Sequence, residues 1–361
     1  MIKLSPRITG FATVTPPFVA VIGENKNTST VNFIREFLPT SNPKEFTSAE
    51  TVVQFDTEDL EEGEILLVFP ENALAHRFYR PNEKANTILL TERCDQNCVM
   101  CSQPPKSKDY LHWDLYAEAI DIVPQNAVIG ISGGEPTLYK ESLFNFIRVV
   151  SARRPDVEFH VLTNGQHFQS EDISTLREIA EKVVWGIPIY AAKTQIHDKI
   201  VGKNGAFAQL LEGFSYLLEA GARLELRTVV LKDNIGEIPK LAKFIARYFQ
   251  WAEVWSIMQL EKIGFARIDW ALKFEDTSML FDCIEDAILI SQSCGINVQL
   301  FNFPLCTVPR GYRRYCVDSI SNWKKKFLEV CNGCPVQETC CGFFEWYTQN
   351  DGYLSLGRER L

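Results

Sequence analysis

The sequence predicts an α/β protein: a parallel sheet curling into a partial (βα)6, TIM-like barrel, with a small β-rich amino-terminal extension and a cysteine-rich carboxyl-terminal region. Three observations carry this. From about residue 87, short β-branched runs alternate with segments of helical period, which is the pattern of successive βα units. Three cysteines, Cys94, Cys98 and Cys101, directly follow the first of those runs, where the functional loops of parallel sheets lie. Cys306, Cys316, Cys331, Cys334, Cys340 and Cys341 crowd the carboxyl-terminal region at a density that core packing does not require.

Residues 1–85 read as the extension, with Pro and Gly punctuation and β-branched residues. The acidic run Asp56 to Glu64 reads as a solvated turn between strands. Residues 86–295 read as the barrel. Its strand candidates are Asn86 to Thr91, Ala127 to Ser132, Val157 to Thr163, Val183 to Tyr190, Leu224 to Leu231 and Val254 to Leu260. Amphipathic helices are expected between them over 142–150, 173–179, 207–218 and 238–249; Leu210, Leu211, Phe214, Leu217 and Leu218 share one face of the third. Cys283 and Cys294 fall in an apolar helical stretch and are expected to be buried packing residues. Residues 296–361 form the cysteine-rich region.

Composition narrows the function classes. The 361 residues are 46% hydrophobic and 23% charged, a globular balance, and no apolar run approaches the roughly 18 residues of a membrane span. The opening MIKLSPRITGFATVTPPF lacks an apolar signal core, and an odd number of cysteines, 11, suits metal ligation in a reducing compartment, so a cytoplasmic protein is expected. A net charge of −9 argues against broad nucleic-acid contact, the basic turn from Arg310 to Arg314 excepted.

Chemistry concentrates in a few motifs. Four thiolates close an iron–sulfur cubane, whereas three leave one iron open for a substrate or cofactor. The run Cys94-x3-Cys98-x2-Cys101 resembles the radical S-adenosylmethionine (SAM) superfamily. The resemblance implies a [4Fe–4S] cluster with SAM on the open iron, reductively cleaved to a 5′-deoxyadenosyl radical that the protein only has to aim. Met100 stands where that family usually has an aromatic residue, and its polarizable side chain fills the same space beside the cofactor. A structural zinc site is the alternative reading of the triplet.

One βα unit later, Ser132-Gly133-Gly134-Glu135-Pro136-Thr137 matches the family's GGE motif, which implies contact with the methionine amino group of SAM. The glycines clear side chains from the strand end and Pro136 ends the ladder. The third strand ends in Leu162-Thr163-Asn164-Gly165, which resembles the segment near the ribose and methionine of SAM. His197 and Asp198 are candidates for supporting positions. Glu225 and Arg227 are alternate residues of one strand, so they share a face; inward they meet SAM or substrate, outward they are solvated.

Cys331-x2-Cys334-x5-Cys340 resembles the auxiliary-cluster extension called SPASM or, when short, twitch. The resemblance implies one auxiliary [4Fe–4S] cluster on Cys306, Cys331, Cys334 and Cys340, with Cys316 able to replace Cys306; a zinc site is again the alternative. The segments Cys98 to Lys106, Phe159 to Gly165, Gly186 to Tyr190, Ser319 to Lys324 and Cys341 to Phe344 resemble HxsC, the radical SAM maturases of His-Xaa-Ser peptide systems. That likeness implies a ribosomally made precursor peptide as substrate, oxidatively crosslinked, and a reductant such as a flavodoxin or ferredoxin as electron donor. From composition, no membrane and no nucleic-acid partner are expected. A radical enzyme acting on a small molecule or nucleoside, and a non-catalytic iron–sulfur or zinc scaffold, are the competing readings.

Overall fold

The computed structural model describes residues 5–11, 16–23, 34–39, 45–47 and 52–357. Its first strands are β1 (Ile8–Phe11), β2 (Phe18–Ile22), β3 (Ile34–Pro39), β4 (Glu45–Thr47), β5 (Val52–Phe55), β6 (Ile65–Phe69) and β7 (Leu74–Tyr79). They form one sheet in the order β1-β5-β4-β3-β2-β6-β7. Only β2 and β3 pair in parallel. The two outer strands meet: Arg7 bridges Leu74, the Ile8 amide donates to Ala73 O at 2.9 Å and the Ala75 amide to Pro6 O at 3.0 Å. The seam closes the sheet upon itself. Phe18, Ala20 and Ile22 alternate along β2 and pack with Leu66 and Val68 of β6 and with Phe55.

The acidic run before β6 departs from the solvated turn expected of it. Glu58 and Glu62 are exposed, but Glu64 is fully buried, 3.2 Å from Arg77 and 3.1 Å from Arg80. Asp59 also pairs with Arg77. A buried carboxylate is tolerable only when paired in this way, and the two arginines lie on and just after β7, beyond the reach of a local charge count.

The second sheet contains β8 (Asn86–Thr91), β9 (Val128–Gly133), β10 (Glu158–Leu162), β11 (Val183–Pro188), β12 (Arg223–Val229), β13 (Val254–Met258) and β14 (Val298–Phe301), neighbours in chain order. From β11 to β14 the pairing is parallel, with Trp185 beside Leu224, Leu226 beside Trp255 and Ile257 beside Leu300. The sheet thus has one strand more than the six expected. The helices are α1 (Trp113–Asp121), α2 (Lys140–Arg153), α3 (Ile173–Glu178), α4 (Thr194–Val201), α5 (Ala206–Ala220), α6 (Ile238–Tyr248), α7 (Trp270–Lys273) and α8 (Asp282–Ser293). A short antiparallel pair, β15 (Lys325–Lys326) and β16 (Phe343–Phe344), lies among one-turn helices in the cysteine-rich region.

The chain divides into two compact units. One takes in the described residues up to Ile88, with Tyr110–Gly130 and Asn145–Phe159; the other comprises Leu89–Asp109, Ile131–Phe144 and the chain from His160 onward. All the site residues below belong to the second.

Helix α5 buries Phe207, Leu210, Gly213, Phe214, Leu217 and Ala220. Leu218 is exposed and Leu211 only half-buried, which corrects the predicted face. Each lies one position, about 100°, round from the true stripe. Gly213 has a special place on that stripe: a Cβ there would collide with the carbonyl oxygen of Gly165, so α5 touches the loop after β10 backbone to backbone. Cys283 is half-buried and Cys294 exposed at the end of α8, so neither is the buried packing residue that was expected. The buried stripe of α8 is instead Ile284, Ala287, Ile288 and Ser291. Among the described residues, no helix is long and apolar enough to cross a membrane.

Candidate active site

At the end of β8 the chain folds back on itself. The Glu92 amide donates to Lys108 O at 2.7 Å, the Lys106 amide donates to Glu92 O at 2.8 Å, and Lys106 Nζ pairs with the Glu92 carboxylate at 2.7 Å. Asp109 accepts from Thr91 Oγ1 at 2.6 Å and from Arg93 Nε at 2.8 Å. The cysteine loop begins here. The amides of Asn97 and Val99 donate to Val201 O and Ile200 O, at 3.0 and 2.9 Å, so the end of α4 supports it from one side. Phe265 N, donating to Cys101 O at 2.9 Å, supports it from the other. Met100 is buried among Tyr190, Ile200, Val201 and Leu260 and anchors the loop in the apolar core.

Cys94, Cys98 and Cys101 are half-buried. Cys94 Sγ accepts from the Gln96 amide at 3.4 Å, and Cys98 Sγ donates to Gln96 Oε1 at 3.4 Å. Burial pushes both thiols up to about 12; the charges of Glu135 and Asp95 reinforce this at Cys94, and the neighbouring thiols Cys101 and Cys94 do so at Cys98. Three thiols near enough to oppose one another's ionisation, in a polar loop, require a cationic centre to become thiolates. Iron would supply that centre, and Cys94, Cys98 and Cys101 are the three sulfurs that would hold a cluster.

Glycine brings the next strand end close. A Cβ at Gly133 would collide with Thr91 O, and one at Gly134 with Arg93 O. The Gly134 and Glu135 amides donate to those same oxygens, both at 2.7 Å. Glu135 then turns inward. Its fully buried carboxylate accepts from Thr137 N (2.8 Å), Thr137 Oγ1 (2.5 Å), Thr163 Oγ1 (2.6 Å) and Asn164 N (2.6 Å). Burial raises this carboxyl, and the four donors oppose the rise. Pro136 opens a one-turn helix directly after it. Asn164 Nδ2 reaches Asp95 Oδ1 at 2.8 Å, and Asp95 also binds Lys203 at 2.5 Å and His167 at 3.3 Å. Burial works against the Asp95 charge, but the neighbouring His167 and Lys203 outweigh it and hold the carboxyl well below the usual range.

Glu135 and Asp95 therefore tie the loops after β8, β9 and β10 into one knot that includes Thr163 and Asn164. Sequence reasoning missed Asp95, His167 and Lys203. The available signal was an acidic residue inside the cysteine triplet, which demands cations nearby.

Two further candidates resolve differently. Asp198 accepts from the amides of Gly205 and Phe207, at 2.6 and 2.8 Å, and so caps α5. His197 is 1% exposed between Tyr190 and Phe207; the Tyr190 amide donates to its Nδ1 at 3.4 Å, and burial lowers its pKa to about 4. Both are structural. Glu225 and Arg227 face the side of the sheet opposite Leu224 and Leu226, together with His160 and Met258: Arg227 donates to Glu225 Oε1 at 2.8 Å and to Met258 Sδ at 3.3 Å.

In the carboxyl-terminal region Cys306, Cys331, Cys334 and Cys340 line one cavity, walled by Pro304, Leu305, Val330 and Phe343. Cys316 is not among the lining residues; it is bridged to Leu300 and near enough to Cys340 to feel its charge. Cys340 Sγ accepts from the amides of Leu305 and Gly342, both at 3.4 Å. The adjoining Cys341 thiol, with those amides, overrides burial and lowers Cys340 to about 6. Among the described residues no three or more His, Cys, Asp or Glu side chains converge on a point as one metal ion requires. The four thiols lining one cavity are a donor set that an auxiliary cluster would fit.

Residues 88–245, a little under half of the chain, match the family model of the Radical SAM superfamily. The chain is similar to the antilisterial bacteriocin subtilosin biosynthesis protein AlbA of Bacillus subtilis (strain 168), with 26% identity over 161 residues, 44% of this chain and 35% of AlbA. It is similar also to the GTP 3′,8-cyclase of Aquifex aeolicus (strain VF5), with 25% identity over 227 residues, 55% of this chain and 70% of that protein. Among solved structures, Streptococcus suis SuiB bound to S-adenosylmethionine aligns with a TM-score of 0.48 at 15% identity, over 59% of this chain and 49% of that one. Three of the curated relatives are spanned over less than half their length, at 35%, 38% and 45%.

Proposed function

We propose that this protein is a radical SAM enzyme that modifies a ribosomally made precursor peptide of the His-Xaa-Ser type, closing an oxidative crosslink. The observation that carries the reading is the knot around the cysteine loop: three half-buried thiols at the end of β8, braced through Asp95 and Glu135 by the two strand ends that follow. Cys94, Cys98 and Cys101 would hold the cluster whose open iron takes SAM, and the backbone of Gly133 and Gly134 with Thr163 and Asn164 would receive the rest of that cofactor. The bound pair supplies a 5′-deoxyadenosyl radical. The protein's part is to hold the thiols, fix the loops and orient the substrate.

The peptide reading is supported by the likeness to AlbA, named for the biosynthesis of a bacteriocin, and by the HxsC resemblance of the sequence. Cys306, Cys331, Cys334 and Cys340 would hold the auxiliary cluster. In this reading residues 1–85 form the extension, 86–295 the catalytic barrel and 296–361 the auxiliary region, in a cytoplasmic protein served by a flavodoxin or ferredoxin. The likeness to a GTP 3′,8-cyclase, which extends over 227 residues, favours a nucleotide as the competing substrate.

The test is anaerobic reconstitution with iron and sulfide, followed by dithionite and SAM, with either a synthetic peptide of repeated His-Xaa-Ser triplets or GTP. Formation of 5′-deoxyadenosine with loss of hydrogen from the peptide supports the reading. A GTP-derived product moves it to the nucleotide class, and full iron loading without cleavage of SAM leaves a non-catalytic scaffold.

A further inference from the structure

On the face of the sheet opposite Leu224 and Leu226 lies a polar array that takes no part in the loop knot. Its centre is Glu225, whose side chain is 6% exposed, between His160 Nε2 at 2.6 Å and Arg227 at 2.8 Å. Gly186 of β11 makes room for it: a Cβ there would lie 2.6 Å from Leu162 Cδ2 and 2.9 Å from His160 Nε2. Burial alone would raise the Glu225 carboxyl, but the Arg227 guanidinium and the His160 hydrogen bond hold it down to about 2. Glu225 is therefore an acceptor only, so His160 Nε2 carries the proton and donates it. With the Nε2 hydrogen given to Glu225, the ring, 31% exposed, can accept a proton only at Nδ1. A carboxylate–imidazole pair of this kind stabilises the imidazolium that forms when Nδ1 takes up a proton.

Two neighbours tie the array to the cysteine loop. Arg227 is close enough to Tyr190 to act on its charge, and Tyr190 in turn feels Cys98 and Cys101. Burying a carboxylate between a guanidinium and an imidazole is costly compared with apolar packing. Paired titratable groups gathered on one face of a sheet are candidates for chemistry.

We propose that His160 accepts a proton from the substrate during the radical reaction, with Glu225 and Arg227 as positioning residues that fix its ring; the proposal rests on the reading of a radical enzyme given above. In an oxidative closure the substrate loses one hydrogen atom from carbon, which converts the 5′-deoxyadenosyl radical to 5′-deoxyadenosine. It loses one proton from the attacking heteroatom, to His160 Nδ1, and one electron, to an iron–sulfur acceptor. One C–H and one heteroatom–H bond break and one carbon–heteroatom bond forms. Glu225 keeps its negative charge throughout and balances the imidazolium.

The experiment counts two products in the reconstituted full chain with SAM, dithionite and the synthetic His-Xaa-Ser peptide: 5′-deoxyadenosine, and peptide lighter by two hydrogen atoms. His160→Gln should lower the yield of closed peptide per 5′-deoxyadenosine formed about 100-fold. Glu225→Gln should fall about 10-fold in closed peptide with KM unchanged. Closed peptide surviving in His160→Gln, or both products falling together, overturns the proposal. Nitrogen-15 NMR supplies a readout that needs no substrate: in the neutral ring the hydrogen should sit on Nε2, with that preference lost in Glu225→Gln. A ring with no tautomer preference also overturns it. Absence of 5′-deoxyadenosine from the unaltered protein removes the radical reading itself, a different failure from the survival of closure in His160→Gln.

Discussion

The thiols at 94–101 and those at 306–340 have opposite surroundings. The first three lie in a polar loop fastened by carboxylates, and burial pushes Cys94 and Cys98 up to about 12. The other four line a cavity with apolar walls, where Cys340 is lowered to about 6 by the Cys341 thiol beside it. Three thiols beside glycine-cleared strand ends leave a coordination position and the room to use it. Four around one cavity would saturate what they bind. On the proposed reading the first arrangement does chemistry and the second moves electrons, and the difference shows in the donor count and in what lies next to the sulfurs.

The largest effect belongs to the first site. Cys98→Ala should abolish 5′-deoxyadenosine formation and remove about four of roughly eight irons per chain; surviving cleavage would place the chemistry elsewhere. The second site separates from the first by iron analysis of two variants. Cys340→Ala should also lose about four irons while Cys316→Ala loses none, and equal losses would mean that Cys316 is a ligand.

A milder probe acts on α4, the support of the cysteine loop. His197 is held at about 4 in the fold against 6.5 outside it, so between those values the unfolded chain carries a proton that the folded chain lacks. Stability should therefore be fully present above pH 6.5 and decline toward pH 4 by about 3 kcal/mol at most, and His197→Gln should flatten the decline in urea titrations. Gly213→Ala should destabilise by about 1–3 kcal/mol by forcing α5 away from Gly165, and weaken SAM binding in calorimetry without changing the iron at the second site. The smallest effect is expected at Cys294, outside both sites. Cys294→Ser should change stability by less than about 0.5 kcal/mol, and in the unaltered chain this exposed thiol should react first with a maleimide.

What the sequence made legible was whatever is written within a short window. The cysteine triplet, the Gly-Gly-Glu-Pro turn and the Thr-Asn-Gly end announced themselves because their spacing and their chemistry coincide. The six predicted strands appear as β8 to β13, whereas β14, only Val298–Phe301, is too short to display a period. The knot was not legible. Asp95 meets Asn164 across 69 residues and Lys203 across 108, and no local pattern encodes such a meeting. The same limit explains Glu64, read as solvated among its acidic neighbours but buried against Arg77 and Arg80, and Leu218, which a five-residue apolar list placed on the wrong side of α5. Glu225 and Arg227 were correctly paired on one face by alternation, yet the partner that gives them meaning, His160, lies on another strand.

The knot also bears on how the holoprotein is made. Fixing a backbone residue costs on the order of 1–2 kcal/mol in lost freedom, and in small metal-dependent domains that loss coincides with metal capture, so the apo form is unfolded. Here Asp95, Asn164 and Glu135 hold the cysteine loop with bonds that involve no metal. On the proposed reading these ties would share with the cluster the work of holding the loop, rather than leave all of it to metal capture.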